Sequence, residues 1–471
     1  MARMIRELIF GNSLLLALLV SAALLSTIVI FQLAANKKLG LLWEKWFAVF
    51  YIFVCPPVSL VPFNYLNFVS LASTDGGNLA QLPWVFYPWV ILVLSGRFIS
   101  FFKNQFVEAL SFLVLRNPSF FLYCLLPITS TLWSLVPEIT LKAGIAFTGF
   151  TIFSFYLAAR YEWPELSVLL RWGYISIGIV SILVHPNVGK EFQGITNHKN
   201  NFGSLMVVST ALWYLHYSQS AKTQKERWIA LGFMLFSFYL VRASSSGGCL
   251  VNSLMLLVVV SSLSFLSRLK FQWAFTCIAG FTVLGIITSV YIIDNLESIV
   301  VGGLGKDLTL TGRTEFWPLL IEAANQRPWG YGLNGFFQQD LLGDQTPAYF
   351  IYTASGFNPH TAHNGAISIL LSFGYPGLVL ILVSLFTNLI LAVRQLSRSP
   401  LSESGIPIIY LVFIIMSNIT EGYLGEIGNA WLAYVLLTVR LCIDSSKSPS
   451  SNHRIYGGDL PSPSESRLNP H

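Results

Sequence analysis

Charge is what this sequence has least of. Asp, Glu, Lys and Arg together make up 11% of its 471 residues, about half the share expected of a soluble protein of that length. Apolar residues make up 54%, and the mean hydropathy is +0.63. Those values exclude a soluble enzyme or a nucleic-acid-binding module. The net charge of +6 does not indicate a nucleic-acid partner either, because most Lys and Arg sit in short connections between apolar runs, where they set membrane topology. Metal and redox motifs are missing as well: there is no CxxC, no HExxH and no DxD-like pair. The five cysteines, Cys55, Cys124, Cys249, Cys277 and Cys442, all lie within or beside apolar runs, where a thiol packs as a small hydrophobe. No soluble domain and no internal repeat is visible. The first apolar run, Leu14 to Ala34, has no clear cleavage site after it and reads as a retained anchor.

What the chain does have is a series of apolar runs of about 17 to 25 residues, the length a helix needs to cross hydrocarbon. Candidate spans lie near 12–34, 46–62, 83–102, 120–136, 138–158, 168–186, 202–217, 228–242, 247–266, 272–293, 376–394, 406–420 and 424–442. The expected fold is an all-α polytopic transmembrane bundle of about 12–13 spans. It occupies residues 1–444, with a large extracytoplasmic loop, 294–362, that carries short helices. Residues 445–471 are rich in Ser and Pro and read as a disordered cytoplasmic tail.

The positive-inside rule orients the back half. Lys222, Lys225 and Arg227 share one short connection, Arg268 and Lys270 a second, Arg394 and Arg398 a third. With these on the cytoplasmic side, the 294–362 loop faces outward. So do Ile195–Asn201, Ser244–Gly247 and the turn bearing Glu421 and Glu426. Every polar cluster of note then falls on one face. The front half is less regular: thirteen spans with the tail inside would put Arg3 and Arg6 outside. Either the rule fails at the N-terminus or one front segment is re-entrant, for which Pro56, Pro57 and Pro62 make 46–62 the candidate.

The richest of these clusters runs from Gly305 to Gly365 and gathers Lys306, Asp307, Arg313, Glu315, Arg327, His360 and His363 between two apolar runs. Polar chemistry concentrated in one loop of a membrane protein points to function there. The segment from His363 onward reads as a short interfacial helix, a break at Gly374-Tyr375-Pro376-Gly377, and then a span. His363 falls at or near the start of that short helix, where the positive end of the dipole favours a neutral imidazole. A general base has that form; an interfacial helix-capping His is the plainer alternative. His360 and His363, three apart, lack a third ligand for a metal site. Arg313 can grip a pyrophosphate through paired N–H donors or pair with Glu315 or Glu322 on a solvated face. Arg327, before Pro328, reads as structural. Gly330-Tyr331-Gly332-Leu333-Asn334-Gly335 spells GxGxxG, but no strand precedes it and no βαβ unit surrounds it, so it reads as a tight packing turn. Lys199 can attract a phosphate or snorkel, with Asn200 capping the helix that begins there. Arg242 is an anion contact or an interface anchor. Glu421 and Glu426 are the strongest carboxylate candidates, with no partner evident from sequence.

In their order, GITNHKNNFG at 194–203, SSSGG at 244–248, TGRTEFW…RPWGYGLNGF at 311–336 and AHNGAISILLSFGYPGLVL at 362–380 resemble the O-antigen ligase/polymerase family of bacterial membrane proteins, which includes exopolysaccharide polymerases. The resemblance covers roughly residues 190–395. It implies a metal-independent, GT-C-like membrane glycosyltransferase of the bacterial inner membrane that needs no cofactor. The implied donor is a glycan on undecaprenyl pyrophosphate, and the implied acceptor a glycan or lipid A-core hydroxyl at the periplasmic face. By similarity, His363 is the base and Arg313 holds the pyrophosphate. Arg242, Lys199, His360 and Asn364 complete the expected substrate-binding set. Family members often carry an Arg within the segment matching Ser244–Gly248; here the nearest is Arg242, about one helical turn earlier. Ligase and polymerase remain open alternatives, since they differ only in acceptor. A small-solute transporter would instead show paired ionisable residues deep in several spans and an inverted repeat, and a non-catalytic scaffold would leave the loop charges without a role.

Overall fold

Asn117 shows how residues set the helix ends in this computed structural model, which describes residues 21, 37–54, 100–189, 191–196, 198–294, 313–352, 356, 358–398, 402–422 and 424–446. Helix α1 is Lys37–Val54, α2 Val107–Arg116 and α3 Pro118–Thr129. The Asn117 Oδ1 accepts from the Phe120 N–H and so caps α3, which begins with Pro118. Proline suits that position because its missing N–H would have no helical partner there. The chain turns by 108° between the two helices.

The bundle continues with α4 Pro137–Arg160, α5 Trp163–Val184, α6 Lys199–Leu215, α7 Gln224–Ala243, α8 Gly247–Leu266 and α9 Phe271–Asp294. The loop helix α10 is Arg313–Gln326. Then come α11 Gly365–Arg398, α12 Ile406–Thr420 and α13 Asn429–Ser446. The described residues contain helices and no strand. Five helices are long and apolar enough to cross a membrane, or six if the bent pair α2–α3 counts as one span. The chain is therefore a polytopic helical membrane protein. The expected spans 12–34 and 83–102 lie almost wholly outside the described residues, as do the second half of 46–62, loop residues 295–312 and the tail from 447. The expectation at 46–62 also shifts: the described helix starts at Lys37.

Helix α13 is the centre. All fourteen residues from Ala430 to Ile443 are buried, as expected of a helix with neighbours on every side. Trp431 meets Phe120, Tyr123 and Phe147 ring to ring. A buried polar chain ties α13 to its neighbours. Asn117 Nδ2 donates to Asn388 Oδ1 at 3.0 Å and to Ser384 Oγ at 3.1 Å, and Asn388 Nδ2 donates to Thr438 Oγ1 at 2.7 Å. Away from water each of these groups requires a partner, so the network fixes the relative register of the helices.

The expected break in α11 is at Gly374, whose φ of 64° and ψ of −164° are not helical. Pro376, without an N–H, leaves the Ser372 carbonyl without its helical donor. The loop supplies the replacement. Gly332 N–H donates to Ser372 O at 3.0 Å and Tyr331 N–H to Leu371 O at 2.7 Å, while Tyr375 N–H turns outward to Pro328 O at 2.9 Å. This exchange explains the glycines. A Cβ on Gly330 would stand 2.6 Å from Gly374 N and 2.7 Å from Ser372 O, and Gly330 and Gly332 have φ of 78° and 87°. The GxGxxG stretch is a docking turn.

Candidate active site

Four segments distant in sequence meet at one end of the bundle. Phe192 N–H donates to Ala243 O at 3.1 Å, joining the α5–α6 connection to the end of α7. Glu191 N–H reaches Ser245 Oγ at 3.3 Å, and Cys249 Sγ lies 3.6 Å from Asn200 O. Asn364 caps α11: its Oδ1 accepts from Ala366 and Ile367 N–H, and its Nδ2 donates to Ile419 O at 3.3 Å. Gly365 packs against Asn418 so closely that a Cβ would collide with it. The start of α11 is thereby laid over the end of α12.

At this crossing His363 meets Glu421. The His363 Nδ1 is 3.1 Å from Glu421 Oε2, and the side chains are 29% and 16% exposed. An ionised carboxylate only accepts, so Nδ1 carries the proton and Nε2 is left to accept another. Among the described residues Nε2 has no hydrogen-bond partner. Asn200 Nδ2 donates to the other carboxylate oxygen, Oε1, at 2.6 Å. Glu421 is thus held between an amide and an imidazole. The backbone at His363 has φ of 47°, a left-handed conformation that is uncommon away from glycine and accompanies functional geometry. Trp317 on α10 donates from Nε1 to Ala362 O at 2.9 Å, fixing the residue before the histidine. Helix α10 begins at Arg313, one turn before Trp317.

The other expected site residues take distinct places. Asn364 is a helix cap and a tether, beside the dyad. His198, rather than Asn200, caps α6: its Nδ1 accepts from the Asn200 backbone N–H at 3.2 Å, while the Asn200 side chain turns to Glu421. Lys199 forms an ion pair with Glu191. His360 turns away, with Nε2 3.3 Å from Asp340 Oδ2 and Nδ1 3.2 Å from Asn358 O, so the two histidines do not form a pair. Arg242 is exposed at the end of α7, in the connection that Phe192 and Glu191 touch. The Arg313 and Glu315 side chains, with Lys306 and Asp307, lie outside what is described. Arg327 stacks over the Tyr331 ring at 5.2 Å, the structural role its setting suggests. Among the described residues, no three His, Cys, Asp or Glu side chains group as metal ligands would.

Glu426, in the same turn as Glu421, has an exposed side chain although protein is dense around it. The surrounding protein first, and the Glu421 carboxylate second, push its pKa up to about 7. Sequence could not reveal the Glu421 partnership, since 58 positions separate the two residues. The available signal was that both sit on the face to which the charge alternation assigns every polar cluster.

Fold and site together define a polytopic helical membrane protein with a carboxylate-oriented histidine at one face. Residues 231–382 match the family described as O-Antigen ligase, a stretch that includes Arg242, Arg313, His360, His363 and Asn364 but neither Asn200 nor Glu421. The chain is also 23% identical over 363 residues to the exopolysaccharide production protein ExoQ of Rhizobium meliloti (strain 1021), covering 71% of this chain and 82% of that one. These two findings support the O-antigen ligase/polymerase family, the one its motifs resemble.

Proposed function

We propose that the chain is a membrane glycosyltransferase that moves a glycan from undecaprenyl pyrophosphate to a sugar hydroxyl at the outer face of the bacterial inner membrane. The observation that carries this reading is the His363–Glu421 pair with Nε2 left open. In the proposed step, Nε2 takes the proton of the acceptor hydroxyl as its oxygen attacks the anomeric carbon. The bond from that carbon to the pyrophosphate breaks, and the diphosphate leaves with the electron pair. Glu421 holds the ring and balances the imidazolium that forms. Arg313, and Arg242 at the same end, would meet the leaving diphosphate with fixed positive charge; such cations can take the place of a metal.

Two acceptors fit this step. A lipid A-core acceptor makes the protein a ligase; a second lipid-linked repeat unit makes it a polymerase. The relative's name, exopolysaccharide production protein, favours the second. The test is complementation of a deletion strain with wild type, His363→Ala and Arg313→Ala at matched expression. Loss of surface polymer with accumulation of lipid-linked precursor is expected in both variants. Accumulated single repeat units identify a polymerase, and full-length lipid-linked chains a ligase. Normal polymer in both variants would overturn the site assignment.

A further inference from the structure

At the end of the bundle away from His363, the Arg171 guanidinium, the Trp213 indole and the His216 imidazole lie together, each with an enclosed nitrogen that has no hydrogen-bond partner among the described residues. Arg171 on α5 is 6% exposed, and its guanidinium makes no hydrogen bond among the described residues; its Nε is fully enclosed. The guanidinium lies over the Trp213 ring of α6, 5.4 Å from the centroid. A cation–π contact supplies no oxygen or nitrogen acceptor to the guanidinium's N–H donors. Trp213 Nε1 and the Nδ1 of His216, in the turn that ends α6, are also enclosed without a partner, and the His216 ring stands edge-on to Trp213 at 6.1 Å. Glu403 is within electrostatic reach of Arg171 and His216 but forms no ion pair with Arg171 among the described residues. Its Oε1 instead accepts from Ser220 Oγ at 3.0 Å.

A buried cation with no hydrogen-bond acceptor is costly unless an anion completes it. The level of the site in the fold says which anion. Trp213 is thirteen residues along α6 from Asn200, about 20 Å at the rise of an α-helix. Trp172, next to Arg171, and Trp228, at the start of α7, both turn outward, 47% and 63% exposed, as indoles do at a membrane–water boundary. The basic connection with Lys222 and Lys225 is at the same end. We propose that Arg171, His216 and Trp213 form a binding site for a phosphate group, that of an anionic phospholipid in the leaflet opposite His363. The Nη donors take two phosphate oxygens, with His216 and the indole N–H beside them. This site is independent of the transfer chemistry proposed above.

The test uses the full chain, delipidated in detergent, with phosphatidylglycerol, phosphatidylcholine or inorganic phosphate added and thermal unfolding as readout. Phosphatidylglycerol is expected to raise the wild-type Tm by roughly 3–5 °C, and Arg171→Met to abolish that shift. Without lipid, Arg171→Met should unfold at or above the wild-type temperature, because it removes an uncompensated buried charge. An equal shift with inorganic phosphate would assign the site to free phosphate; a shift only with the anionic lipid assigns it to a headgroup. The proposal is overturned if phosphatidylglycerol shifts both proteins equally or neither. It is also overturned if Arg171→Met and Glu403→Gln each lower the lipid-free Tm alike, since Arg171 would then serve Glu403 instead of a ligand.

Discussion

His363 was legible as a residue in the sequence, but its partner was not. A histidine opening a helix after a polar loop stands out in an apolar chain, whereas Glu421 gains meaning only when α11 crosses α12. Glu421→Gln therefore separates the dyad from a merely interfacial histidine. An amide can present N–H to the imidazole and hold the wrong tautomer, so transfer by the purified protein should fall by roughly 10²–10⁴ with little change in Tm. Unchanged transfer would return His363 to the plain role of an interfacial residue. Glu426 carries a different prediction. Its pKa rises from an ordinary 4.5 to about 7 in the folded chain, so between those values the folded state binds more protons than the unfolded one. Stability should fall as pH rises through that window and level off above it. Glu426→Gln should remove the fall, which Tm measured from pH 4.5 to 7.5 would show; parallel curves for the two proteins would contradict it.

Among elements, the break in α11 was readable because Gly374 and Pro376 announce it locally. Its loop partner was not readable, because the hydrogen bonds from Tyr331 and Gly332 join positions about forty apart. The bent pair α2–α3 was missed in part for a similar reason: Asn117 is an ordinary polar residue until Ser384 and Asn388 come to it. Gly374→Ala should destabilise by roughly 2–4 kcal/mol, since it combines an unfavourable φ with a collision against the Pro328 carbonyl. Gly232→Ala, inside α7 and with nothing within 4 Å of the added carbon, should leave stability unchanged or raise it by up to about 1 kcal/mol. Denaturant unfolding in mixed micelles compares the two, and equal stability would remove the docking role from Gly374.

For the molecule as a whole, apolar run length gave the class, and charge alternation gives an expected orientation, because both follow from the bilayer rather than from tertiary contacts. The convergence of Asn200, Ser245, His363 and Glu421 at one end agrees with that orientation. It predicts an asymmetry of access. With the native cysteines replaced, Asp344→Cys should react with a membrane-impermeant maleimide added to intact spheroplasts. Lys225→Cys should react only after permeabilisation. The reverse pattern would invert the topology and with it the proposed outer active face.

The exchange of backbone hydrogen bonds between the 328–332 turn and the α11 break also sets limits on recombination. Loop and span share a single hydrogen-bond register there, so neither is a separable part. A chimera that imported only the outer loop from a relative would bring donors for carbonyls that its new host places elsewhere. A viable crossover has to fall before Arg313 and after Gly377, moving loop, histidine and broken helix as one cassette. Acceptor preference would then travel with that cassette, into hosts that keep Asn200, Asn418 and Glu421 where the cassette meets them.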